Sequence, residues 1–138
     1  MHGARLIGPN CLGIISPGKA KMGGIGGDAI IGSSYAELMP LFEADPETKA
    51  IVIYSEPGGP MEAQLADYVR ENNSRLPIVA FMAGKFMDAM PGIRFGHAGT
   101  IVEGKQDTAA EKIRRLEEAG IAVAEEIEQI PALVKERL

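Results

Sequence analysis

The residue with the clearest chemical capacity is His97, one of only two histidines, set between Gly96 and Ala98-Gly99. An imidazole is a good phosphoryl acceptor near neutral pH, because its unprotonated nitrogen attacks while an acceptor such as a carboxylate holds the other nitrogen. Glu56, which opens the run Glu56-Pro57-Gly58-Gly59, is a candidate for that carboxylate. Further small, glycine-bearing runs are Ala83-Gly84-Lys85 and Gly23-Gly24-Ile25-Gly26-Gly27-Asp28. Residues without a bulky side chain let main-chain amides converge on an anion, and helix amino ends add partial positive charge. Gly26, Gly27, Gly58, Gly59, Gly96, Ala98 and Gly99 are therefore candidate phosphate-binding positions. From residue type alone other readings stay open. The glycines also suit ordinary strand–helix joints, His97 a turn cap, and Glu56 a solvated carboxylate or a helix amino-end charge.

Such a rim needs a scaffold, and the hydrophobic pattern supplies one. Residues 50–54 and 78–82 are continuous apolar runs rich in β-branched side chains, as expected of strands covered on both faces in a parallel sheet, and residues 121–124 read as a shorter third. Residues 5–7 and 12–15 flank a Gly-Pro-Asn-Cys turn and are weaker strand candidates. Helical patterns lie between. Residues 108–119 carry a Thr108/Glu111 capping box, a Gly120 stop and an apolar face of Ala109, Ile113 and Leu116. Residues 61–72 follow Pro60, suited to a first turn, and turn Leu65, Tyr68 and Val69 inward. Ser34 can cap a helix over 35–44, with a kink or early break expected at Pro40. A last helix spans 131–138. Alternation of this kind implies right-handed crossovers onto an open parallel sheet, an α/β fold of the flavodoxin-like type, whose ligands gather beyond the carboxyl ends of the strands.

Composition narrows the partners. The 138 residues, 46% apolar and 24% charged, suit one compact domain. The net charge of −5 offers no broad positive field for nucleic acid or an anionic membrane. No apolar run approaches the roughly 20 residues of a membrane helix. The single Cys11 cannot form an internal disulfide, and no secretory leader pattern opens the chain, so a cytoplasmic setting is expected. Nothing in the residue pattern points to a metal site.

Four segments in order then resemble one family. Arg5-Leu6-Ile7-Gly8-Pro9-Asn10-Cys11-Leu12-Gly13 is similar to the segment closing the CoA-binding domain of succinyl-CoA synthetase α-subunits. Gly24-Ile25-Gly26-Gly27-Asp28, Ser55-Glu56-Pro57-Gly58-Gly59 and Gly96-His97-Ala98-Gly99 resemble three later blocks. The resemblance implies a nucleotide-dependent acid–CoA ligase of the ping-pong type, in which ATP or GTP with Mg, held mainly by an ATP-grasp β-subunit or by missing segments, phosphorylates His97. The phosphoryl group then passes to a small carboxylic acid, and the acyl phosphate is taken up by CoA. By the same carry-over Glu56 orients the ring, and Asn10 and Cys11 lie near the CoA thiol, where an inert, buried Cys11 is the open alternative.

The resemblance also assigns residues 1–23 to the end of a CoA-binding domain and its linker, and residues 24–138 to the ligase domain. It marks two departures. The rest of the CoA-binding domain is missing. Between Met22 and Gly24 the chain also lacks a strand, a Ser-rich turn and a helix whose amino end faces the phosphohistidine in the family. Loss of that helix terminus weakens phosphohistidine stabilisation by about 1–2 kcal/mol, and the gap is expected to expose apolar sheet edges that recruit a partner. The stretch 86–95 is longer than in succinate-activating members and resembles citrate-activating ones, which makes citrate or malate the alternative acid. Arg94 is a candidate contact for a carboxylate or phosphoryl group, or a plain surface arginine. A non-catalytic interaction module on the same scaffold is the second class of reading, and a flavin-binding relative, by fold analogy alone, the third.

Overall fold

The computed structural model describes residues 33–95 and 101–138 in full, and the main chain at 5–6, 15–16 and 20–21. Four strands form one parallel sheet in the order β1 (Arg5–Leu6), β4 (Ile51–Ser55), β5 (Ile78–Met82), β6 (Ala122–Ala124). A short antiparallel pair, β2 (Ile15–Ser16) and β3 (Ala20–Lys21), stands apart from it. The apolar runs become β4 and β5 because both faces are covered, and the first is displaced by one residue from its expected span. The missing family strand leaves no gap between the described strands, since β1 lies directly beside β4.

Three helices cover one face: α1 (Tyr35–Ala44), α2 (Met61–Asn72) and α3 (Ala109–Glu118). Their Met39, Leu65 and Leu116 pack on Ile51, Ile53, Ile78, Ala80 and Met82. Leu65 and Leu116 are essentially inaccessible to solvent, so each contributes about 1.5–3 kcal/mol of burial. On the opposite face α4 (Ile130–Lys135) lays Val134 on Ala50 and Val79. It starts one residue before the expected 131, directly after a single 3-10 turn, Ile127–Gln129, and is shorter than expected because it ends at Lys135 rather than 138.

The helix ends follow local rules with three corrections. Ser34 and Glu37 complete a reciprocal capping box on α1, and that helix runs through Pro40 without breaking. The proline's fixed φ is already helical, and Leu38 and Met39 just before it are anchored in the core. Pro60 is the N-cap of α2 rather than part of its first turn, and its carbonyl accepts from Gln64 N at 3.1 Å. Thr108 caps α3 by accepting from Glu111 N at 3.2 Å, but the Glu111 carboxylate does not return to the cap. Arg114 and Arg115 engage it instead. No helix among the described residues is long and apolar enough to cross a membrane.

Candidate functional site

Three turns converge at the carboxyl ends of the strands. β4 delivers the chain to Glu56-Pro57-Gly58-Gly59, where both glycines have positive φ, 98° and 72°. β5 ends beside it, with Ala83 N donating to Ser55 O at 2.8 Å. It continues through Gly84 into a 3-10 turn, Lys85–Ala89. The third turn precedes α3, and its Asp107 carbonyl accepts from Gly58 N at 3.0 Å. Gly58 therefore spends its amide on the fold.

The 85–89 turn is tied to α3 by a carboxylate. Asp88 accepts from Ala109 N at 2.7 Å and from Ala110 N at 3.0 Å, filling the amino end of that helix. Past Met90, the chain enters a hairpin whose base is closed twice: Gly92 N donates to Val102 O at 2.9 Å, and Arg94 bridges Ile101 in antiparallel fashion. Residues 96–100, which include His97, lie outside the described residues.

Beneath the Glu56 turn lies a buried polar cluster. Lys112 projects from α3 and donates to Glu56 O at 3.0 Å, to Gly58 O, and to Glu62 Oε2 at 2.7 Å. Both charged side chains are withdrawn from water, with 3% and 1% of their surface exposed. Glu62 Oε1 and Ser55 Oγ are buried with no hydrogen-bond partner among the described residues. Tyr35, whose hydroxyl donates to Tyr54 O at 3.3 Å, has its pKa pushed well above the ordinary phenol value, first by burial and then by the Glu62 charge. The nearby Ser55 hydroxyl pulls the other way, although the two hydroxyls do not meet in a well-formed bond.

The described site is thus a glycine-bearing Glu56 turn at the carboxyl rim of a parallel sheet, tied to the turn before α3 and underlain by the Lys112–Glu62 pair. Residues 14–133 match the CoA-ligase family. The chain belongs to that family. It is 39% identical over 176 aligned positions to succinate–CoA ligase (ADP-forming) subunit alpha 2 of Archaeoglobus fulgidus, covering 99% of this chain and 60% of the relative. It is 36% identical over 159 positions to malate–CoA ligase subunit alpha of Methylorubrum extorquens, covering 86% and 53%. The chain thus spans about half to three fifths of the length of these curated relatives. In the second alignment, 86% of 138 residues is about 119 against 159 positions, so about 40 positions of the relative face no residue here. An omission of that size accords with the strand, turn and helix expected to be absent between Met22 and Gly24. Among solved structures, ATP citrate lyase of Methanosaeta concilii in complex with (3S)-citryl-CoA superposes with a TM-score of 0.73 at 27% identity, covering 81% of this chain and 18% of that one.

In this CoA-ligase chain, Glu56, Gly58 and Gly59 lie together in the β4 turn, as their sequence adjacency requires. Asn10, Cys11, Gly26, Gly27, Gly96, His97, Ala98 and Gly99 lie outside the described residues. Arg94 is exposed at the hairpin base. Among the described residues no group of three or more His, Cys, Asp and Glu is placed to hold a metal ion. Sequence reading passed over Lys112, Glu62, Asp88 and Tyr35, all of which help to build the site.

Proposed function

We propose that this chain is the phosphoryl-carrying part of the α-subunit of a nucleotide-dependent acid–CoA ligase, working with an ATP-grasp β-subunit. His97 supplies the nucleophilic nitrogen: its lone pair forms the P–N bond as the nucleotide's terminal P–O bond breaks, and the nucleoside diphosphate leaves. Glu56 accepts a hydrogen bond from the other ring nitrogen and stabilises the positive charge that the ring gains. Attack by an oxygen of the acid's carboxylate then breaks the P–N bond and returns neutral imidazole, leaving an acyl phosphate for CoA.

The observation that supports this reading is the Glu56 turn at the carboxyl end of β4, bonded through Gly58 N to Asp107 O, with Gly92 and Arg94 paired to Val102 and Ile101 on either side in sequence of the segment that contains His97. The amides of Gly59, Gly96, Ala98 and Gly99, and of Gly26 and Gly27 from the amino-terminal segment, are assigned to the phosphoryl group. Gly58 contributes the shape of its turn, its own N–H being engaged by Asp107. ATP or GTP with Mg is assigned mainly to the partner subunit or to the family segments that this sequence lacks. We assign residues 1–23, with Asn10 and Cys11, to the CoA side and residues 24–138 to phosphoryl transfer, in the cytoplasm.

The acid is succinate by the weight of the family resemblance. Citrate or malate is favoured by one feature, the extended 86–95 segment, in which Phe86 and Phe95 stack edge-to-face with ring centres 5.1 Å apart. The test is incubation of the chain with a nucleotide-bearing β-subunit and ATP, followed by intact mass. An added phosphoryl group that is lost in acid, and absent from His97→Asn, is the expected result. Equal labelling of the two proteins would sink the carrier role and leave the interaction-module reading.

A further inference from the structure

Lys112 sits where an aliphatic side chain would pack at lower cost. A lysine that is 2% exposed carries a desolvation penalty that a buried partner offsets only in good geometry, and paired apolar replacements are often as stable. Its surroundings explain what an apolar residue could not do. An ammonium group has three protons, and there are three acceptors: Glu56 O, Gly58 O and Glu62 Oε2. Two of them are main-chain carbonyls of the turn that bears the Glu56 side chain. The same turn is held from its other side by the Gly58 N to Asp107 O bond. Pro57, between the two carbonyls, lies so close to Gly84 that a Cβ there would come within 3.0 Å of its Cδ. Little freedom remains in the main chain around Glu56.

We infer that Lys112, held in place by Glu62, is a positioning residue for Glu56: it fixes the main chain of the 56–59 turn, so that the carboxylate keeps the direction needed at the His97 loop. This rests on the proposed pairing of Glu56 with His97 and extends it to a residue 56 positions away in sequence.

The test is the ring pKa of His97, read by imidazole NMR titration on the full chain with His2, the second histidine, as internal control. A carboxylate partner raises a histidine pKa, so Glu56→Gln is expected to lower that of His97 by on the order of one unit. Lys112→Met is expected to produce at least half of that shift, as is Glu62→Gln/Lys112→Met, which leaves no unpaired buried charge and serves if the single variant does not fold. Arg75→Ala, which loosens the far end of α1 without touching this turn, is expected to leave His97 unchanged. Phosphorylation of the ring by phosphoramidate should slow about tenfold in the Glu56 and Lys112 variants alike. If Glu56→Gln shifts His97 and the Lys112 variants do not, the pair is only structural and the inference is overturned. If Glu56→Gln itself has no effect, the Glu56–His97 reading fails and the positioning role falls with it.

Discussion

Lys112 and Glu62 form an ion pair of 2.7 Å between α3 and α2, fifty residues apart in sequence and shut off from solvent. Removing one partner leaves the other charged and buried, which costs about 3–5 kcal/mol. Lys112→Met should therefore lower the urea midpoint sharply. Glu62→Gln/Lys112→Met should recover much of the loss, since no net charge is then left inside. Equal destabilisation by the single and double variants would show that the carbonyl contacts, not the ion pair, dominate.

Gly84 and Gly120 separate two reasons for requiring glycine. Both have positive φ, 68° and 80°, but only Gly84 is crowded, with an added Cβ falling 3.0 Å from Pro57 Cδ and 3.1 Å from Met87 Sδ. Gly120 has nothing within 4 Å. Gly120→Ala should cost only the left-handed backbone term, about 1 kcal/mol. Gly84→Ala should cost about twice that, and should also reduce phosphoryl labelling by displacing the Glu56 turn. Equal stability losses with unchanged labelling would mean that Pro57 yields freely.

Much of this fold was legible because its signals are local. The runs at β4 and β5, the Ser34 cap, the 61–72 helix and the Gly120 stop all depend on residues near one another in sequence, and they appear within a residue or so of where the pattern puts them. The site was harder to read because its supports are long-range. Lys112 lies on the same helical stripe as Ala109, Ile113 and Leu116, and Glu62 on that of Leu65, Ala66 and Val69. A charge on an apolar stripe is the signal that could have found both, but only the fold reveals that they face each other. Asp88 gave no such sign, since its role as a cap for α3 depends on a turn 21 residues upstream. The Thr108/Glu111 box failed for a related reason: two nearby arginines outbid the cap amide for the Glu111 carboxylate.

Arg75 closes the carboxyl end of α1 from outside. Its guanidinium donates to the carbonyls of Glu43 at 2.7 Å and Asp45 at 3.1 Å, with longer contacts to Phe42 and Thr48. The Glu43 carbonyl lies in the last turn, past the reach of a helical donor, and a cation there also meets the negative end of the helix dipole. Arg75→Ala should cost about 1–2 kcal/mol in chemical denaturation. Arg75→Lys should recover less than half, because an ammonium cannot fork over a fan of acceptors. Full recovery by lysine would assign the effect to charge alone.

Glu111 should be an acid sensor for α3. Hydrogen bonds from Arg114 and then Arg115 hold its pKa at about 2, below the ordinary 4.5. A carboxyl group depressed in the folded state adds stability that is fully present above its unfolded pKa. That stability fades as pH falls from about 4.5 through about 2, when the folded carboxylate finally protonates. Carboxyl-carbon NMR should show Glu111 still ionised at a pH where exposed glutamates are already neutral. Hydrogen exchange should show α3 amides losing protection over the same interval. In Glu111→Gln that acid-dependent loss should be reduced while the Thr108 cap persists, because Thr108 binds the main-chain amide of residue 111 rather than its side chain. An unchanged acid profile in Glu111→Gln would place the sensitivity elsewhere.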